Sequence, residues 1–272
     1  MEQGREMLRS ANRIVIKVGT STLTHDNGKM NLMRMDRLAL TIAELMNENK
    51  EVVLVSSGAI GVGMGKFNLR KRPEVMGMKQ ALAAIGQCEL MNIYSRLFAA
   101  YNHTVAQVLL TKADLDYEVK RMNVMNTFNS LMEFGVLPVV NENDTVSIDE
   151  IKHLNMFGDN DTLSAVVAKL VSADLLIILS DIDGLYDKNP GKNKECNLIS
   201  IVEDIDDTVL GYAEGEGTSR GTGGMITKLG AAMIATEAGV NMVIANGRDP
   251  ATVLDILKGE NIGTLFVRKE RK

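Results

Sequence analysis

Residues 51–63 read EVVLVSSGAIGVG, a short β-branched run that passes directly into a glycine-rich turn. An apolar run without polar alternation is what a strand buried on both faces requires, so Glu51 to Ser56 reads as a strand of a parallel sheet. The signature recurs on either side. Arg13 to Val18 (RIVIKV) precedes it, Val105–Leu110, Val136–Val140 and Asp174–Leu179 follow, and 240–245 and 262–267 lie near the end. Helical apolar periods fill the gaps: 31–48 through Leu32, Met35, Leu38, Ile42 and Leu45, then 75–100, 117–134, 161–172, 225–238 and 250–258. Strands separated by helices predict right-handed crossovers. The expected fold is α/β, a three-layer αβα sandwich with a mostly parallel central sheet. One domain is expected over 1–272, with an N-terminal lobe to about 173 and a C-terminal lobe from about 174.

The composition narrows the function classes. The chain has 272 residues, 45% hydrophobic and 24% charged, as ordinary globular proteins have. Its net charge of −5, with no basic block before Arg268–Lys272, argues against nucleic acid as a partner. Cys88 and Cys196 have no CxxC partner, and His25, His103 and His153 lack ligand spacing, so neither a disulfide framework nor an imidazole metal site is expected. No apolar run approaches a membrane span, and the first residues (MEQGREMLRSANR) contain no apolar signal core. A cytoplasmic protein with no membrane partner is expected.

Ligands of a parallel sheet bind at the carboxyl ends of its strands, so the strand ends are where function is read. The first strand ends in Lys17-Val18-Gly19-Thr20-Ser21. A lysine inside an apolar strand either meets an anion or snorkels at the edge. The second ends in Ser56-Ser57-Gly58-Ala59-Ile60-Gly61-Val62-Gly63, a turn that offers N–H groups and a helix N-terminus to an anion, or serves packing alone. Its glycines fit neither the dinucleotide fingerprint nor a Walker A loop. Asn141-Glu142-Asn143-Asp144 and Gly158-Asp159-Asn160-Asp161 are turn and cap residues by type, and also suit the polar groups of an amino acid, with Asp144 accepting from an ammonium. Asp161 suits a role holding lysines in place. Ser180-Asp181-Ile182-Asp183-Gly184 closes a fifth strand, and Gly221-Thr222-Gly223-Gly224-Met225-Ile226-Thr227-Lys228 opens a helix. With no P-loop present, Lys17 and Lys228 are the pair expected to carry charge in phosphoryl transfer.

Together the segments IKVGTSTLT (16–24), VVLVSSGAIGVG (52–63), LPVVNENDTV (137–146), GDNDTLSA (158–165), LSDIDGLY (179–186) and GTGGMITK (221–228) resemble the amino acid kinase family, in order and over nearly the whole chain. Within it they are similar to the branch that phosphorylates the γ-carboxylate of L-glutamate with ATP, the first step toward proline. The resemblance implies that Lys17, Lys228 and Asp161 are catalytic. It implies that Ser57, Gly58, Asp144 and Asn160 bind glutamate. Lys17, Gly19, Ser180, Asp181, Thr222, Gly223, Gly224, Met225, Ile226, Thr227 and Lys228 would bind ATP. Mg²⁺ would bridge the ATP phosphates with few protein ligands. An acceptor that is already a carboxylate needs no general base. The resemblance further implies a homo-oligomer, and feedback by proline through the loop holding Lys152 and residues 153–157. Many family members continue into a PUA-type module, which this chain, ending at Lys272, is expected to lack. Other readings on such a sheet are a family member acting on another carboxylate and a non-catalytic nucleotide or amino-acid binder. A nicotinamide dehydrogenase lacks its glycine fingerprint.

Overall fold

The computed structural model describes residues 3–25, 29–69, 71–146, 159–191, 195–213 and 224–270. Their framework is one eight-stranded sheet: β1 Arg13–Val18, β2 Glu51–Ser56, β3 Val105–Leu110, β4 Leu137–Glu142, β5 Leu175–Ser180, β6 Ile201–Val202, β7 Asn241–Asn246 and β8 Thr264–Phe266. The strand order is β3-β4-β2-β1-β5-β7-β8-β6. Every pairing is parallel except β7 with β8. β1 is central, and its Lys17 lies opposite Val55 of β2 and Ile178 of β5. The starts of β1 and β5 are tied by Asp174, whose Oδ2 accepts the N–H groups of Asn12 and Arg13 at 2.8 and 2.9 Å.

Eleven helices stand among the described residues. Five are short: α1 Gln3–Glu6, α2 Thr20–Leu23, α6 Lys112–Asp116, α9 Asp207–Gly211 and α11 Thr252–Leu257. The longer ones are α3 Leu32–Asn47, α4 Ala59–Lys66, α5 Met76–Ala100, α7 Glu118–Glu133, α8 Asn160–Leu170 and α10 Met225–Glu237. They cover both faces of the sheet, which is why the strands carry no polar alternation. On one face Leu38 and Ile42 of α3, Leu90, Tyr94 and Phe98 of α5 and Ile256 of α11 pack on Ile14, Ile16 and Val18. On the other, Phe128 of α7, Leu163 and Val167 of α8 and Leu229 and Ala232 of α10 pack on Val15, Val55 and Ile178. Strand alternation therefore directs Lys17 toward the second face, where α8 and α10 lie.

The mostly parallel three-layer architecture agrees with the sequence reading, and the helix spans agree within two residues. The last segment differs in direction: β8 runs antiparallel to β7. The chain therefore re-enters the sheet from the end it left, after the connection 247–263 that carries α11. No helix among the described residues is long and apolar enough to cross a membrane.

Candidate active site

The centre of the site is Asp161, the second residue of α8. Asp159 caps that helix by accepting the Thr162 N–H at 2.8 Å, which sets the first turn and aims Asp161 at the sheet edge. The Asp161 side chain is almost wholly buried and meets two ammonium groups. Lys17 Nζ from β1 lies 2.5 Å from Oδ1, and Lys228 Nζ from the first turn of α10 lies 3.1 Å from Oδ2. Thr227 Oγ1 also donates to Oδ2 at 3.2 Å. Burial alone would raise the Asp161 pKa. The two lysines outweigh it and hold the carboxyl below its usual range. The facing surfaces of α8 and α10 are rich in small residues, among them Ala165, Ala168, Ala231 and Ala232, so the helices approach closely enough for the three side chains to meet. Three charges of +1, +1 and −1 leave a net positive centre, which a transferring phosphoryl group needs.

Backbone donors surround this centre. Gly19 caps α2, and a Cβ there would stand 3.6 Å from Lys17 Nζ, so the backbone runs directly past the amine. Gly58 caps α4 with φ of +101°, a left-handed conformation suited to glycine, and faces Thr20 of α2. Ser57 donates through both N–H and Oγ to the Val18 carbonyl, each at 3.2 Å, which joins the ends of β2 and β1. Gly224 opens α10 with no side-chain cap, leaving first-turn N–H groups beside Lys228 for a ligand oxygen. Met225 follows at N1, and Ile226 is exposed. Ser180 and Asp181 stand at the end of β5, with Ser180 Oγ donating to Asp181 Oδ1 at 3.2 Å.

On the β4 side, Asn160 Nδ2 donates to Asn141 Oδ1 at 2.9 Å, and Asn141 Nδ2 donates to Gln87 Oε1 of α5 at 3.0 Å. The Glu142 N–H donates to the same Asn141 oxygen, fixing its amide orientation. Asp144 follows β4, half-buried, and burial raises its pKa while the Arg72 guanidinium opposes the rise. Gln87, Arg72 and the amide role of Asn141 were not singled out by sequence. Gln87 is one polar residue in a long apolar helix, and nothing local to it announces a partner on β4. Thr222 and Gly223 lie outside the described residues, as do Lys152 and residues 153–157.

A buried carboxylate holding two lysines from separate parts of a mostly parallel sheet, ringed by glycine turns and a helix N-terminus, defines a phosphotransferase. The amino acid kinase family model matches residues 12–246, and the chain belongs to that family. It is 55% identical over 266 residues to a glutamate 5-kinase of Clostridium perfringens, covering 98% of this chain and 99% of the relative. A glutamate 5-kinase of Listeria monocytogenes is 50% identical over 268 residues, covering 98% and 97%. Among solved structures, carbamate kinase from Giardia lamblia bound to AMP-PNP superposes with a TM-score of 0.66 at 18% identity, over 96% of this chain and 100% of that one. An isopentenyl phosphate kinase gives 0.64 at 18%, over 94% and 100%. At such identity these structures share the fold.

Proposed function

We propose that this chain transfers the γ-phosphoryl group of ATP to the γ-carboxylate of L-glutamate, forming L-glutamyl 5-phosphate and ADP at the start of proline synthesis. The observation that carries the reading is the Lys17–Asp161–Lys228 contact. The substrate follows from relatives that are glutamate 5-kinases at half identity or better across the chain.

In this reading Lys17 and Lys228 flank the moving phosphoryl group and offset its charge, while Asp161 fixes both amines and touches no substrate. Gly19 and Gly58 donate backbone N–H groups to phosphate oxygens. Ser57, Gly58, Asp144 and Asn160 receive glutamate, with Asp144 facing its ammonium. Ser180, Asp181 and the segment 222–228 receive the nucleotide. Residues to about 173 then form the acceptor side and those from about 174 the nucleotide side. Mg²⁺ would arrive on ATP, and Asp161, engaged by two lysines, is committed to them. Such an ion would supply positive charge to the phosphates. A cytoplasmic homo-oligomer subject to proline feedback completes the proposal. Incubation with ATP, Mg²⁺, L-glutamate and hydroxylamine tests it: glutamyl hydroxamate is expected, and turnover only with another acid or a nucleotide overturns the assignment.

A further inference from the structure

Among the buried residues of α5, only Gln87 and Tyr94 carry polar side-chain groups. Gln87 meets Asn141, as described. Tyr94, about two turns further along, reaches the end of β2 instead. Its ring is wholly buried in the core with Leu90 and Phe98, its centroid 6.3 Å from that of Phe98. A phenol in such surroundings costs free energy unless its O–H is bonded. Its partner is Ser56 Oγ, 2.9 Å away and just as buried. Strand alternation accounts for the meeting: Val52 and Leu54 of β2 pack into the same core as Tyr94, so Ser56 points that way too.

Each hydroxyl has one hydrogen to give, which orders the pair. Ser56 Oγ donates to the Ser57 carbonyl at 3.3 Å, and a carbonyl can only accept. The Tyr94 hydrogen is then left for Ser56 Oγ, so the relay runs from Tyr94 O–H to Ser56 Oγ to the Ser57 carbonyl. The reverse order would leave a phenolic hydrogen in the core with no acceptor among the described residues. Burial raises the Tyr94 pKa, so the donor keeps its proton. The Ser57 carbonyl and the Gly58 N–H belong to one trans peptide and point in opposite directions. Ser57 is anchored to Val18 through its own N–H and Oγ, which leaves its carbonyl unheld. Glycine at φ of +101° leaves more than one orientation of that peptide open, and the relay selects one. We infer that Tyr94 is a positioning residue: through Ser56 it fixes the Ser57–Gly58 peptide so that the Gly58 N–H is presented to the phosphoryl group, a role that rests on the proposed kinase function.

The sequence contains a single Ser-Gly pair, Ser57-Gly58. Full-length protein made in a cell-free system, with serine labelled by ¹³C at the carbonyl and glycine labelled by ¹⁵N, therefore gives one carbonyl–amide correlation, from this peptide alone. In Tyr94→Phe, which keeps the ring, that signal is expected to move or split. The kcat with glutamate should fall about tenfold while the KM for ATP stays within about twofold. Ser56→Ala should act alike, and the double variant should be no worse than Ser56→Ala, as members of one relay behave. A signal that Tyr94→Phe leaves in place overturns the inference. So does a moved signal with kcat intact, a double variant whose losses multiply, or a lower urea midpoint as the only change. Should the wild type phosphorylate no acid, the kinase reading fails, and the same signal still decides whether Tyr94 orients this peptide.

Discussion

Lys17 Nζ lies 2.5 Å from Asp161 Oδ1, a contact between the central strand and the first turn of a helix far along the chain. The same carboxylate holds Lys228, so removing its charge leaves two buried ammoniums facing each other. Asp161→Asn is therefore expected to lower kcat by roughly 10² or more through misplaced lysines. It should also destabilise the fold by about 3 kcal/mol, the scale of breaking a buried pair. Steady-state kinetics and urea unfolding check both. Normal kcat in a stable variant would show that the lysines do not depend on this carboxylate.

The same triad sets an acid limit. The Asp161 pKa is lower in the folded chain than the ordinary 3.8, so the folded state resists protonation there more than the unfolded state does. The sign follows from linkage: the contribution is complete above pH 3.8, begins to fade below it, and is lost as pH falls through the lower folded value. Acid unfolding of the wild type should include this component, and in Asp161→Asn it should be absent. An identical acid-limb slope in the two proteins would remove Asp161 from the account.

Lys228→Ala separates charge at the reacting group from ground-state binding. Lys228 is buried at the site end of α10, where its amine meets both Asp161 and the place assigned to the phosphoryl group. The expected loss is about 10²–10³ in kcat, with a smaller change in the KM for ATP. A near-normal kcat would take this lysine out of the reaction.

How much of this was readable from residues alone depends on the length scale of each signal. β1, β2 and β5 announce themselves because burial on both faces demands unbroken apolar runs. β6, two residues long, carries no period at all. The direction of β8 is not written in its own three residues, which read the same parallel or antiparallel. Within the site, Lys17 is conspicuous because a cation is costly in a strand, and Lys228 because it follows glycines into a helix. The glycines of the second turn looked alike in sequence and divide in space. Gly58 takes a left-handed φ beside the site, whereas Gly63 lies against the Leu82 carbonyl of α5. Only the fold, which sets α5 against β4, brings Gln87 to Asn141.

Gln87 is expected to act on glutamate through two intermediaries. It is buried, its Oε1 accepts from Asn141, and Asn141 accepts from Asn160. Gln87→Leu removes the acceptor and frees the Asn141 amide to rotate, a loss of about 1–1.5 kcal/mol. The KM for glutamate should rise about tenfold while the KM for ATP stays within about twofold. Gln87→Glu, which keeps the acceptor, should recover most of the loss. Equal effects on both substrates would mean that the chain of amides supports the fold without orienting Asn160.

Gly86 tests whether the glycine-rich helix α4 is placed by its neighbour. A Cβ on Gly86 would run into the Ala59 carbonyl, and one on Gly63 into the Leu82 carbonyl, so α4 and α5 meet backbone to backbone at two points. Both obstacles are main chain, and no side-chain rotation relieves them. Gly86→Ala must therefore push the helices apart, at about 2–4 kcal/mol, the upper range for overpacking. Because Ala59 directly follows Gly58, the same displacement moves the N–H groups assigned to phosphate. A lower urea midpoint together with reduced kcat is expected. Gly77→Ala, on the same α5 helix with nothing within 4 Å of its added Cβ, should leave both almost unchanged. Were the two substitutions equally mild, the close crossing of α4 and α5 would not be what holds the turn at the sheet edge.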